Sequence, residues 1–286
     1  MTGLGFEPKS GTVIVSAVSS GHAQGMPLRW GTRRKAVIKL PRSVVQTYEF
    51  DEHDLLDHVQ LDLGQVISAT PRLIYPNDKW AETRQNRQPT RASDEVIVEF
   101  TAHDEARFHL SGGECIPVAR LEDATATADP VIRRVPPATQ RVQFRVVETG
   151  STVPVPVKLH VHGADGEYLP PLDRHRMPNP AWFEDYGADL CHGEHTCVYI
   201  PGEISINLPL GNVFLEVTKG FEIAPIRRTV QVTGDTHTIT IELDRVLDWR
   251  MRGWVTADTH VHFLSPGTAM LEGAAEGVNV INLLAS

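Results

Sequence analysis

Glu95-Val96-Ile97-Val98-Glu99-Phe100 alternates with a period of two: Val96, Val98 and Phe100 on one side, Glu95, Ile97 and Glu99 on the other. Successive side chains of a strand point to opposite faces, so this pattern predicts a half-buried antiparallel strand and not a helix. Working outward, comparable short β-branched runs fall at 12–18, 35–40, 59–63, 66–69 and 106–110. Val37, Ile38 and Leu40 are cut off by Pro41, which suits a strand end. The stretch 76–93 is polar, holds Pro89 and has no period, and reads as a long surface loop. Residues 1–120 are therefore expected to form a β-sandwich of jelly-roll type.

The next segment, 121–140, runs Ala-Thr-Ala-Thr-Ala-Asp-Pro and then Val-Pro-Pro-Ala-Thr, and reads as a stiff linker. Strand patterns resume at 141–147 and continue at 155–161, 196–200, 204–208, 213–218, 226–232 and 236–243. Short strands at this spacing, with Asp165-Gly166 and Pro209-Leu210-Gly211-Asn212 as turns, predict a second sandwich over 141–243. The proline-rich stretch 170–193 is expected to be an insertion between its strands. Arg33-Arg34-Lys35 and Arg227-Arg228 read as solvated faces.

Composition bounds the function. The chain has 286 residues, 41% hydrophobic and 22% charged, with a formal net charge of −9. That describes a globular chain with a real core and offers no general attraction for nucleic acid or an anionic membrane. No apolar run approaches the ~20 residues of a membrane helix, and 13–18 is shorter than a signal-peptide core. The expected location is cytoplasmic. Three cysteines cannot build a disulfide framework.

After Leu243 the texture changes. Residues 244–254 are charged and aromatic and read as a connector packed on its neighbours. Strand (255–263), short helix (268–276, with Gly277 as its C′ residue) and apolar strand (278–284) then form the pattern of a βαβ unit. Val255, Phe263 and the aliphatics of the second strand are expected in its core. On the first strand, His260 and His262 share a face with Asp258. Two neutral imidazoles with a carboxylate, Asp258, that either ligates as well or supports a ring suit a divalent metal (Zn, Mn or Fe), which would activate a bound water. His160 and His162 have the same spacing but no such setting, and read as histidines on a sandwich face. Cys191, His192, His195 and Cys197 lie within seven residues, yet match no usual zinc spacing; they read as a polar loop entering a strand.

Two resemblances extend these readings. Val153-Pro154-Val155-Pro156-Val157-Lys158-Leu159, Ala164-Asp165-Gly166, Leu208-Pro209-Leu210-Gly211 and Glu216-Val217-Thr218-Lys219-Gly220-Phe221-Glu222 resemble the carboxypeptidase-regulatory or transthyretin-like β-sandwich. That resemblance implies architecture and no chemistry. Arg252-Gly253-Trp254, the run Ala257 to Pro266 and the run Ala275 to Ser286 resemble the start of a PHP-type (polymerase and histidinol phosphatase superfamily) metallohydrolase. The branch that includes carbaryl hydrolases is the nearest. This second resemblance implies an amidohydrolase-like distorted α/β barrel, with His260 and His262 as metal ligands and Asp258 in support. Ala257, where glycine is commoner, and the absence of Asp-His at the second strand's end depart from the pattern.

The expected fold is thus mainly β, two tandem β-sandwiches followed by the first βαβ unit of an α/β barrel. A barrel takes about 200–250 residues, and 32 follow Trp254. The chain is therefore expected to be an N-terminal portion of a metal-dependent hydrolase acting on a small-molecule ester, carbamate, amide or phosphoester. By itself it would hold an incomplete metal site and no complete catalytic set, with the remainder supplied by a partner chain or a further C-terminal domain. The alternative is a non-catalytic β-sandwich module that binds glycan or protein.

Overall fold

The structure, a computed structural model, describes residues 32–47, 57–75, 90–122, 131–172, 190–192, 195–262 and 264–284. The expected strand at 12–18, most of the loop at 76–93 and most of the insertion at 170–193 lie outside the described residues.

The N-terminal part contains β1 (Arg34–Lys39), α1 (Arg42–Thr47), β2 (Val59–Leu61), β3 (Gly64–Ile74) and β4 (Thr90–Ala102). It continues with β5 (Arg107–Leu110), β6 (Cys115–Pro117), α2 (Ala119–Glu122) and β7 (Ile132–Arg134). One sheet has the order β3-β4-β1-β7 and another the order β2-β5-β6. Ala36, Ile38, Val59, Val96, Val98, Phe100, Phe108, Ile116 and Ile132 of both sheets form one buried cluster. The alternation that predicted β4 survives: Val96, Val98 and Phe100 face this cluster, and Phe100 meets Phe108 edge-on at 4.9 Å. Ile97 is buried too, in a small cluster with Val37 and Val135 on the opposite face.

Two expectations change here. β4 starts at Thr90, so the end of the predicted loop is strand. The predicted linker contains β7, which pairs antiparallel with β1 (Val37 opposite Arg133) and buries Ile132. An apolar residue next to a free sheet edge gains both ladder hydrogen bonds and burial, which outweighs the turn-prone prolines beyond it.

The following part contains β8 (Gln140–Glu148), β9 (Val157–Gly163), β10 (Leu190–His192), β11 (His195–Ile200), β12 (Glu203–Leu208), β13 (Gly211–Thr218), β14 (Ile226–Val232) and β15 (Thr238–Leu243). A five-stranded sheet, β10-β11-β9-β13-β14, and a three-stranded sheet, β12-β8-β15, contribute to one core. Phe144, Val146, Ile206 and Ile241 enter it from the smaller sheet, Leu159, Ile200, Leu215 and Val217 from the larger. β15 lies parallel to β8, whereas the other pairs within the two sheets are antiparallel. Each large aliphatic side chain buried there contributes roughly 1.5–3 kcal/mol, and this is the larger of the two main cores among the described residues.

A 3₁₀ turn at Arg250–Arg252 leads to β16 (Ala257–Val261), α3 (Pro266–Ala275) and β17 (Val280–Leu283). β16 and β17 are parallel, Ala257 opposite Val280 and Asp258 opposite Ile281. Ser265 caps α3 by accepting the Thr268 N–H at 3.2 Å, and Pro266 opens the helix where a missing N–H costs nothing. The pair stands alone as a two-stranded sheet, and no barrel closes among the described residues. Val255 and Val280 are accordingly exposed and not in a core, while Phe263 lies outside the described residues. A helix covers one side of a sheet; among the described residues no second sheet or helix is assigned to the other side of this one.

Candidate functional site

The start of β16 is pinned from β17. Thr256 N–H donates to Asn279 Oδ1 at 3.1 Å, Asn279 N–H returns to Thr256 Oγ1 at 3.1 Å, and Thr256 Oγ1–H reaches the Gly277 carbonyl at 2.7 Å. With its origin fixed, the strand carries His260 toward its carboxyl end, with His262 just beyond it. Their Nε2 atoms lie 2.9 Å apart, the rings at 71° with centroids 4.6 Å apart. At that separation one ring donates its N–H and the other accepts, the roles being set by the tautomers. Both imidazoles are exposed.

Asp258 does not complete this pair. Its Oδ1 accepts the His260 backbone N–H at 3.2 Å, which shapes the strand and leaves two nitrogen donors as the site's ligand set. A structural zinc takes four protein ligands and a catalytic zinc three. Among the described residues no group of three or more His, Cys, Asp or Glu is arranged to hold a metal. By themselves these two nitrogen donors fall short of the three or four protein ligands a zinc site takes.

The other candidates separate. His160 and His162 are buried on β9; His160 Nδ1 lies 2.9 Å from the Thr196 carbonyl oxygen, and His162 stacks on Tyr75 at 4.7 Å. The side chains of Cys191, His192 and His195 lie outside the described residues; Cys197 is buried and Cys115 exposed.

A feature that sequence reasoning missed adjoins β16. The connector 244–254 is not packed away: Met251 and Trp254 are 84% and 63% exposed. Trp249 and Trp254 meet edge-on at 6.4 Å, and the Arg252 guanidinium lies 5.3 Å from the Trp249 ring centre. Together with Phe221, Leu247 and Val255 the two tryptophans line an open apolar groove of about 570 Å³, bordered by Glu222, Arg250 and Asn279. The tryptophans were visible in the sequence; the convergence of Phe221, from the β13–β14 loop, was not.

No protein-family model matches the chain, and no curated protein matches it. Among solved structures it is similar to a streptococcal ancillary pilin (16% identity, 77% of this chain and 63% of that one, TM-score 0.23). It is also similar to the group B streptococcus pilus 2b backbone protein (12%, 74% and 86%, TM-score 0.26). A third is BcpA, the major pilin subunit of Bacillus cereus (9%, 75% and 60%, TM-score 0.23). The chain thus spans less than two thirds of the ancillary pilin and of BcpA. These are pilus subunits and not metallohydrolases. The expectation of a metal-binding, amidohydrolase-like hydrolase of the PHP type finds no support in the described residues, where the histidine pair offers two donors. No helix among the described residues is long and apolar enough to cross a membrane.

Proposed function

We propose that the chain is a non-catalytic β-rich interaction module. Residues up to about 120 with β7 make one sandwich, and 141–243 make a second of transthyretin-like kind. The two together support a strand–helix–strand segment that docks another polypeptide. The observation that carries this reading is the isolated parallel pair β16–β17. Parallel strands are ordinarily buried on both faces, because their crossovers cover them. Here Trp254 and Val255 at the groove and Val280 on β17 are more than half exposed, beside outer strand edges with no neighbour among the described residues. A polypeptide that adds a strand to this sheet would satisfy its free backbone groups and cover the apolar side chains in one step.

The test is site-specific photo-crosslinking of the full chain from position 280, with light scattering of the purified protein. A covalent product mapped to an extended segment of polypeptide, from a second copy or another chain, is the expected result. The reading is overturned by a chain that stays uncrosslinked in its native host. It is equally overturned if the chain carries stoichiometric divalent metal, lost in His260→Ala and His262→Ala, and hydrolyses an aryl ester.

A further inference from the structure

The two β units meet at the turn Gly163-Ala164-Asp165-Gly166-Glu167-Tyr168, which follows β9. The turn is closed internally: Gly163 N–H donates to the Glu167 carbonyl at 2.9 Å, Gly166 N–H to the Gly163 carbonyl at 3.0 Å, and Asp165 N–H to Glu167 Oε2 at 3.1 Å. Three strands of the first unit reach it. Lys35 of β1 donates to the Tyr168 carbonyl at 2.8 Å, and Arg133 of β7 pairs with Asp165. Beyond β3, Tyr75 stacks on His162 and lies 5.7 Å from Phe214. Gly166 has φ +84°, and a Cβ there would overlap the Leu73 carbonyl of β3. Glycine therefore permits both the left-handed turn and the close approach of the units.

Inside this seat is a carboxyl group. Glu167 is 2% exposed and lies under the joint between the units. Its surroundings are mixed in charge. Lys35 on β1 faces it, with Glu99 of β4 acting on that ammonium, while Asp165 stands two residues away, paired with Arg133, whose guanidinium is also 3.9 Å from Glu95. His162 on β9 places its ring near both Tyr75 and Tyr168.

We propose that residues 163–168 form a pH-sensitive latch between the two units, seated while the Glu167 carboxyl is protonated and loosened when it ionises. Burial pushes this carboxyl up to about 7; hydrogen bonds from its own and the Asp165 backbone N–H and the Lys35 ammonium offset part of the rise, and the Asp165 charge adds to it. Burial likewise pushes the Lys35 ammonium down, against the pull of Glu99 and Glu167. The direction follows from linkage. A released Glu167 returns toward its ordinary value of 4.5. The advantage of the seated state is fully present below 4.5 and is lost as pH rises through about 7. Stability of the joint therefore falls between those limits and is level above them.

Amide hydrogen exchange of the full chain tests the latch at Gly163 and Gly166, corrected for the intrinsic pH dependence of exchange. Protection at these amides is expected to fall at least tenfold between pH 5 and pH 8, with the β8 and β13 amides unchanged. In Glu167→Gln, which keeps the shape and cannot ionise, protection is expected to be equal at both pH values. Equal protection in the wild type, or the same loss in Glu167→Gln, sinks the proposal. Should Glu167→Gln fail to fold, Lys35→Gln decides: removing the ammonium must move the midpoint to higher pH, and an unmoved midpoint refutes the latch.

Discussion

At the scale of single residues, the charges of the β strands depart furthest from expectation. Arg227 stands in a basic pair that reads as solvated, yet its side chain is 3% exposed and grips Glu216, equally buried, through contacts of 2.9 and 3.2 Å. Arg227 and Glu216 are direct partners in the β13–β14 register, a relation that a separation of eleven positions in the sequence conceals. Removing one partner of such a pair leaves an uncompensated buried charge. Arg227→Met is therefore expected to cost about 3–5 kcal/mol, and the double change Arg227→Met with Glu216→Leu to recover most of it. Urea denaturation reads both, as midpoint shifts at unchanged slope; a single variant within 1 kcal/mol (~1, a surface-pair value) would contradict the burial. Lys35 shows the same limit of sequence reasoning: a lysine in a basic run is solvated until a second unit comes to rest on it.

Elements were more legible, because their signals are local. The period-two runs of β4, β8 and β12 each place alternate side chains in a core, and the chain after Leu243 holds β16, α3 and β17. What local pattern cannot carry is pairing that needs a distant edge, and so β7 and the parallel seat of β15 on β8 were not foreseen. For α3 the start signal is chemical: Ser265 Oγ accepts the Thr268 N–H and donates to Thr268 Oγ1 at 2.9 Å, in a buried setting. The helix has ten residues, too few to be stable by propensity alone, so its cap is a sizeable share of its stability. Ser265→Ala is expected to lose about 1 kcal/mol and Ser265→Asn a few tenths. Faster exchange of the α3 amides in the first variant, with little change in the second, is the confirming result; equal losses would assign the effect to packing.

For the whole molecule, the open issue is how a strand–helix–strand segment with one bare side stays in place. The helix rests on the larger sheet of the second unit through a small set of polar contacts. Lys158 Nζ and Tyr199 Oη both donate to Glu276 Oε1, at 2.7 and 2.6 Å, and Lys219 Nζ bridges the Ala274 and Pro156 carbonyls at 2.7 and 3.0 Å. Burial and the Glu276 carboxylate push the Tyr199 hydroxyl far above its usual range, so it remains a donor at any physiological pH. Glu276 is partly exposed, which weakens the ion pair, and a charge-assisted pair of hydrogen bonds in that position contributes roughly 1–2 kcal/mol. Glu276→Ala should then raise the exchange of α3 and β17 amides about tenfold, since ~1.4 kcal/mol is a factor of ten in an opening equilibrium. Strands β8, β9 and β13 belong to a core that does not depend on this contact, so their exchange and the main melting transition should stay unchanged. Such a split would show the segment to be a separately opening unit, held on its support by a few polar contacts that include the Glu276 carboxylate, and available to a partner on its exposed side. If β13 instead loosened in step with α3, the segment and the sandwich would form one cooperative unit, and a partner docking at β17 would stabilise the whole of it.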